Sequence, residues 1–178
     1  IEKSKLGGDC TWYGCMPSKA ILKSAQMAHY FKRAGDYGIK VPANFTADPE
    51  GVMGHVRDVV KEISTHHAPE DLEKRGIKVL FGSPRFLDSG SLQVGDSRIK
   101  AKKWILCTGS HPVVPPIDGL KGIPYLTNEN VFDLEKLPES LVVLGGGPIG
   151  CELSQALSRL GVKVTIVEML ERILIRED

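Results

Sequence analysis

Two cysteines that precede a helical pattern are the residues best suited to chemistry in this sequence. Cys10 and Cys15 are separated by four residues, and Pro17 stands where proline is favoured, in the first turn of a helix. A cysteine at a helix N-terminus faces the positive end of the helix dipole, which favours the thiolate. Lys19 lies one helical turn after Cys15 and would place its ammonium on the same face. The pattern predicts a redox-active dithiol.

The residues around the cysteines indicate that the dithiol lies against a flat cofactor. Gly7, Gly8 and Gly14 have no Cβ and would let the backbone approach a bulky ligand. A structural disulfide is a competing interpretation, but nothing in the sequence marks a secreted chain. A zinc site is another, but no second Cys or His pair stands at ligand spacing, so we expect no metal.

Helices and short strands are predicted between residues 13 and 132. The first helix should run from about residue 13 to 34 and end at Gly35. A second helical region covers roughly residues 48–75, and Pro69 should restart it as a separate helix. A parallel-type strand leading into a small antiparallel meander is predicted from short β-rich runs at residues 78–81, 85–88, 91–94 and 97–99. An apolar strand with a buried Cys107 is predicted at residues 104–107, and a short helix near residues 128–132.

A second motif near the C-terminal end predicts a dinucleotide site. An apolar strand at residues 141–144 leads into Gly145, Gly147 and Gly150, then a helix to Leu160 and a strand at residues 162–167 that ends in Glu168. Glycines at this spacing permit a tight turn and close approach of a pyrophosphate to the helix N-terminus. A carboxylate at the end of the second strand can accept hydrogen bonds from the ribose hydroxyls, and it would repel a 2′-phosphate. The motif therefore favours NADH over NADPH.

The dithiol segment resembles a known family. It reads L-G-G-D-C-T-W-Y-G-C-M-P-S-K and is similar to the active-site segment of the FAD-dependent pyridine nucleotide–disulfide oxidoreductases, such as dihydrolipoamide dehydrogenase, glutathione reductase and mercuric reductase. The resemblance implies that Cys10 is the interchange thiol that attacks substrate and that Cys15 contacts the flavin. Lys19 would sit near the reactive edge of the flavin ring. The substrate stays open because the loop departs from the commonest family pattern at Asp9, Thr11 and Trp12.

The same resemblance implies further cofactor contacts along the chain. Glu2 would bind the ribose of the FAD adenosine, and backbone near Pro84 would contact the adenine, where the proline has only a carbonyl to offer. Glu152 would pair with Lys19. The family's second flavin-domain signature, a tight turn beside FAD, corresponds to Thr108, Gly109 and Ser110.

An α/β architecture follows from these elements and from the resemblance. We expect residues 1–137 to form a partial FAD-binding Rossmann-like domain with a β-meander. Residues 138–178 should form the first β-α-β unit of an NAD-binding Rossmann-like domain. We also expect the chain to be cut from a longer protein. The resemblance places the first FAD strand and its glycine loop upstream, and an interface domain with the catalytic His–Glu pair and the dimer contacts downstream.

Composition excludes several classes of partner. The formal net charge is +1 and no basic or acidic block is present, which argues against nucleic acid. No apolar run is long enough to span a bilayer, so no membrane is expected. Four cysteines, two of them in a redox motif, fit the cytoplasm.

The predicted function is electron transfer from NADH through FAD to a Cys10–Cys15 disulfide. From there the electrons would pass to a small-molecule or protein-bound disulfide, or to a metal ion, in a protein that is a homodimer at full length. The alternative is a nucleotide-binding fragment that is catalytically incomplete as it stands.

Overall fold

Helices and two separate sheets make up the computed structural model, which describes residues 1–42 and 44–175 and has the predicted α/β class. The helices are α1 (Gly8–Trp12), α2 (Cys15–Arg33), α3 (Pro49–Thr65), α4 (Pro69–Lys74) and α5 (Pro148–Arg159). The strands are β1 (Pro84–Asp88), β2 (Ser91–Val94), β3 (Ser97–Lys100), β4 (Ser140–Leu144) and β5 (Lys163–Val167). Single 3₁₀ turns occur at Ala34–Tyr37, Leu120–Gly122 and Val131–Asp133, the last at the short helix predicted near residues 128–132.

Helix α2 packs against both α3 and α5 and forms the centre of the core. Its small and aliphatic side chains at helical spacing allow the neighbouring helices to approach closely. The Nζ of Lys32 near the end of α2 donates to the carbonyl of Arg159 at the end of α5, at 2.9 Å. Lys19 and Glu152 meet near the beginnings of the same two helices. These two contacts show that α2 and α5 run parallel, with their N-termini at the same end. The core residues on the three helices are Ala20, Ile21, Ala25, Ala28, Met53, Val56, Ala156 and Leu157.

The first predicted helix, from about residue 13 to 34, is confirmed as α2 to within two residues at its start and one residue at its end. The short helix α1 before it was not predicted, and the chain leaves helical geometry between the two at Tyr13 and Gly14. Gly35 does not end the helical segment, because a 3₁₀ turn continues from Ala34 to Tyr37 and ends at Gly38, whose φ of 74° is left-handed. Glycine adopts that conformation without a steric penalty.

The second helical region is confirmed as two helices. The side chain of Asp48 caps α3 by accepting a hydrogen bond from the backbone N–H of Glu50 at 3.1 Å, and Pro49 occupies the first turn. Pro69 begins α4, and Gly76 follows its end with a left-handed φ of 80°. Within the residues that the structure describes, no helix combines the length and apolar character needed to cross a membrane.

The predicted meander is confirmed as an antiparallel sheet in the order β1-β2-β3. Asp88 shapes the turn between β1 and β2 by accepting hydrogen bonds from the Ser91 hydroxyl at 2.6 Å and the Gly90 N–H at 2.8 Å. These donors, the Ser91 hydroxyl first, lower the pKa of Asp88.

Two other predicted strands were wrong in whole or in part. Residues 104–107 form no strand, and the side chains of Ile105 and Leu106 are 89% and 69% exposed. Cys107 is exposed rather than buried. A strand needs a hydrogen-bonded neighbour, and within residues 1–42 and 44–175 none pairs with this stretch. Residues 78–81 contribute a single parallel bridge, between Phe81 and Glu2.

The C-terminal β-α-β unit is confirmed. Strands β4 and β5 pair in parallel, with Leu144 opposite Val167, and α5 connects them. The carboxyl ends of both strands therefore lie beside each other, next to the glycine loop that begins α5. Residues 176–178 of the predicted second domain lie outside the described residues.

Candidate active site

A disulfide joins the two cysteines at the junction of α1 and α2. Cys10 lies within α1, Cys15 is the first residue of α2, and their Cα atoms are 4.5 Å apart. Cys10 is exposed and Cys15 is half-buried. No side chain caps the N-terminus of α2, so the positive end of its dipole faces Cys15. Cys10 is therefore the more solvent-accessible residue of the pair.

Three contacts fix the loop that carries the disulfide. The Thr11 hydroxyl donates to the Gly7 carbonyl at 2.9 Å, and the Trp12 indole N–H donates to the Leu6 carbonyl at 2.8 Å. Gly7 has φ 110°, and a Cβ there would lie 2.9 Å from the Thr11 hydroxyl oxygen, so a side chain would displace the loop. The Lys5 ammonium lies over the Trp12 ring, 4.7 Å from its centroid.

An ion pair links α2, which begins at Cys15, to α5, which follows the glycine loop. The Nζ of Lys19 is 3.5 Å from Oε2 of Glu152, and the two side chains are 65% and 51% exposed. A pair this exposed adds little to stability, so its importance is positional. It fixes the lysine one turn from Cys15 and beside the first turns of α5.

The glycine loop between β4 and α5 makes a turn that only glycine fits. Gly145 has a left-handed φ of 107°, and a Cβ at Gly150 would overlap the Gly145 carbonyl oxygen. Gly147 is the N-cap of α5 and supplies no side-chain cap. Close approach and uncapped backbone N–H groups are what a dinucleotide pyrophosphate requires, so these residues fit one.

Glu168 follows β5 and turns back onto the glycine loop. Its Oε2 accepts the backbone N–H of Gly146 at 2.6 Å, and its Oε1 accepts that of Leu170 at 2.9 Å. These N–H groups, that of Gly146 first, lower the pKa of Glu168. A lowered pKa keeps the side chain ionised at neutral pH, and the contact is lost only as the pH falls through the lowered value. Each oxygen retains a lone pair that a ribose hydroxyl could use.

Glu2 and Pro84 lie near the meander. The N–H of Glu2 donates to the Leu80 carbonyl at 2.9 Å, and its carbonyl accepts the Gly82 N–H at 2.9 Å. Its Oε1 accepts the Ser4 N–H at 2.8 Å. Pro84 is the exposed first residue of β1. Glu2 is thus held at the end of a short parallel pairing, where a dinucleotide-fold acid belongs.

Thr108, Gly109 and Ser110 are exposed, and Gly109 lies close to the redox segment. Gly109 has φ 73°, and a Cβ there would lie 3.8 Å from both carboxylate oxygens of Asp9, the residue before Cys10. No heavy atom comes within 4 Å of a Cβ built on Gly8, among the described residues. The open space at Gly8, two residues before Cys10, fits the approach of a flat cofactor such as FAD.

The predicted residues therefore gather in three places. Beside the disulfide lie Gly7, Gly8 and Gly109, with Thr108 and Ser110; beside the second glycine loop lie Gly145, Gly147, Gly150 and Glu168; Glu2 and Pro84 lie by the meander. Lys19 and Glu152 connect the first two places. Reasoning from the sequence missed Lys5, because a cation–aromatic contact depends on how loops fold back. It also missed Gly146, the variable position of the glycine motif.

Comparison with known proteins agrees with this geometry. The family described as pyridine nucleotide-disulphide oxidoreductase matches residues 1–178, and the chain belongs to that family. The fold also matches the solved structure of the HOCl-induced flavoprotein disulfide reductase RclA from Escherichia coli in its Cu(II) complex. The TM-score is 0.79 at 30% identity, over 100% of this chain and 38% of that one.

Two curated relatives represent different activities within the family. A mercuric reductase of Lysinibacillus sphaericus is 30% identical over 178 residues, which is 100% of this chain and 32% of that protein. A dihydrolipoyl dehydrogenase of Acholeplasma laidlawii is 34% identical over 179 residues, which is 98% of this chain and 53% of that protein. The chain thus spans about a third to a half of the length of these relatives.

Proposed function

We propose that the chain is the dithiol- and dinucleotide-binding part of a flavin-dependent oxidoreductase, which passes electrons from NADH through FAD to the Cys10–Cys15 disulfide. One observation carries the proposal: the disulfide begins α2 and the glycine loop begins α5, at the same end of two parallel helices. A dithiol and a dinucleotide loop placed this way can serve one electron path.

The chemistry divides between the cofactor and the two cysteines. When bound, FAD supplies the two-electron step that connects hydride from NADH to the disulfide. Two electrons and two protons break the S–S bond and leave two thiols. The Cys10 thiolate then attacks a sulfur of the substrate disulfide, and one substrate thiol leaves. Cys15 attacks the sulfur of Cys10, which re-forms the Cys10–Cys15 bond and releases the second substrate thiol.

The remaining site residues take positioning roles in this proposal. Lys19, held by Glu152, places a positive charge beside Cys15 and near the flavin edge. Glu2, the backbone near Pro84 and the turn of Thr108, Gly109 and Ser110 would hold FAD. We place the boundary between the FAD and NAD(H) domains at residues 137–138, just before β4.

The substrate class is a disulfide or a metal ion. An exposed Cys10 favours a disulfide, and the mercuric reductase relatives add the mercuric ion as a candidate. NADH oxidation by the full-length protein should be measured with lipoamide, glutathione disulfide and Hg(II). We expect turnover with at least one of them. Failure with all three, in a protein in which NADH reduces the flavin, would contradict the substrate class.

We further propose that the full-length protein is a cytoplasmic homodimer. Light scattering would test the dimer, and cell fractionation would test the location.

Glu168 should set the choice of nicotinamide cofactor. Its ionised carboxylate would repel the 2′-phosphate of NADPH, so the wild-type protein should prefer NADH by about 1–3 kcal/mol of differential binding, roughly 5–150-fold. Glu168→Arg should shift the preference toward NADPH. The measurement is kcat/KM for both cofactors in the flavin-loaded full-length protein.

A matched control separates this local effect from a change in net charge. Glu171 is an exposed acid three residues away, and Glu171→Arg makes the same change in charge. It should leave the ratio of the two kcat/KM values within about twofold, as expected for a screened surface charge. Equal use of NADH and NADPH by the wild type would contradict the argument from charge.

A second candidate is a nucleotide-binding piece without activity as it stands. The exposed residues 105–107, which pair with no strand in the described part of the chain, favour it, because an α/β sheet normally buries such a strand on both faces. An absorbance scan of the purified 178-residue chain decides between the two. A flavin band supports a working flavoprotein, and a colourless, aggregating chain supports the incomplete piece.

A further inference from the structure

Residues 169–175, which we name the strap, fold back from β5 onto the glycine loop. The strap and the loop meet at Gly146, which makes contacts with both its N–H and its carbonyl. The N–H donates to Glu168 at 2.6 Å. The carbonyl accepts the Leu174 N–H at 2.8 Å and the Cys151 thiol at 3.3 Å. Gly146 is therefore the point where the acid, the strap and the first turn of α5 are held together.

Side chains also pack against Gly146, where the strap meets the glycine loop. A Cβ built on Gly146 would lie 2.6 Å from Cγ2 of Ile173 and 3.2 Å from Oε2 of Glu168. Ile173 and the Glu168 carboxylate therefore fill the space over the loop from two directions. Leu174 has φ 53°, and it is the one non-glycine residue with positive φ in the described part of the chain. A left-handed leucine is uncommon and persists where surrounding contacts impose it.

We infer that Ile173 and Leu174 are positioning residues that hold the Glu168 carboxylate against the glycine loop. They thereby set the discrimination between NADH and NADPH. The inference rests on the proposed function of Glu168. A glutamate side chain is flexible, and ordering it on binding would cost conformational entropy. The strap orders the Glu168 side chain before the cofactor binds. A ribose can then bind a carboxylate that is already in place, and a 2′-phosphate is repelled by a charge whose side chain cannot rotate away.

The strap supplies its own matched control. Ile173 and Ile175 are exposed to similar extents, 48% and 45%, but Ile173 is the one that lies against Gly146. In the flavin-loaded full-length protein, Ile173→Ala should raise KM for NADH about fivefold with kcat nearly unchanged, and lower the NADH/NADPH ratio by a similar factor. Ile175→Ala should change neither value by more than about twofold. A general loss of folding would not move this ratio selectively.

A second variant pair tests the contact itself. Gly146→Ala should collide with Ile173 and raise KM for NADH, and the double variant Gly146→Ala, Ile173→Ala should recover part of the loss by making room.

The outcomes distinguish this inference from the proposed function. Equal ratios for Ile173→Ala and Ile175→Ala, or a harmless Gly146→Ala, would overturn the role of the strap while Glu168→Arg still shifts the preference. If Glu168→Arg shifts nothing, the proposed role of the acid fails first, and the inference fails with it.

Discussion

Replacing Cys10 with serine should abolish turnover of the disulfide substrate in the flavin-loaded full-length protein, by at least about 10³-fold. Cys10 is the exposed member of the pair and, in the proposed function, its sulfur attacks the substrate, whereas a serine hydroxyl cannot exchange with a disulfide. Flavin reduction by NADH should remain within about threefold of the wild-type rate, because the change leaves the dinucleotide loop untouched. Stopped-flow absorbance would measure flavin reduction, and steady-state NADH oxidation would measure turnover.

The second cysteine and a free cysteine provide the comparison. Cys15→Ser should remove the long-wavelength absorbance band that develops on partial reduction, since Cys15 is the sulfur assigned to the flavin. Cys107→Ser changes an exposed free thiol and should leave both activities unchanged. A Cys15 variant that keeps the band would show that the roles of Cys10 and Cys15 are assigned the wrong way round.

Two glycine-to-alanine substitutions should change stability in opposite directions. A Cβ at Gly150 would overlap the Gly145 carbonyl oxygen, so Gly150→Ala should force the loop apart. We expect a loss of about 1–3 kcal/mol in the free energy of unfolding and a fall of at least about tenfold in NADH affinity. Gly54 lies inside α3, where a Cβ would meet only the tip of Arg57, at 3.9 Å. Gly54→Ala should therefore stabilise the protein by about 0.5–1 kcal/mol.

Denaturant unfolding and NADH titration of the two variants measure these changes. The opposite signs guard against a trivial explanation, since both substitutions add one methyl group. A Gly150→Ala variant that binds NADH as the wild type does would mean that the loop relaxes without consequence. The tight turn would then not be needed for dinucleotide binding.

Local signals explain why most of the fold could be predicted from the sequence. Pro69 begins a separate helix through its own backbone preference, as predicted, and the helical region begins and ends within one residue of the predicted limits at 48 and 75. The C-terminal β-α-β unit needs only neighbours close in the chain, and it forms as predicted. Residues 104–107 have the composition of a strand but no neighbour to pair with in the described part of the chain, and composition carries no information about partners.

In the candidate site, too, the features within one continuous segment were predicted and the contacts between distant segments were not. The spacing of Cys10 and Cys15 identifies the dithiol, and the spacing of the glycines identifies the dinucleotide loop, because each motif is contiguous. The approach of Gly109 to Asp9 joins segments about a hundred residues apart, and the sequence does not reveal it. The strap was not predicted either. The contact of Ile173 with Gly146 depends on the left-handed conformation of Leu174, which the sequence does not indicate.

The central claim is that electrons from NADH reach the Cys10–Cys15 disulfide. Alkylation followed by peptide mass spectrometry tests it most directly in the full-length, flavin-loaded protein kept free of oxygen. Without NADH, the two cysteines should resist iodoacetamide, and the tryptic peptide of residues 6–19 should carry an internal disulfide. After one equivalent of NADH, Cys10 should be alkylated first and Cys15 more slowly, in step with their exposure. A disulfide that stays intact while NADH is consumed and the flavin is reduced would contradict the account.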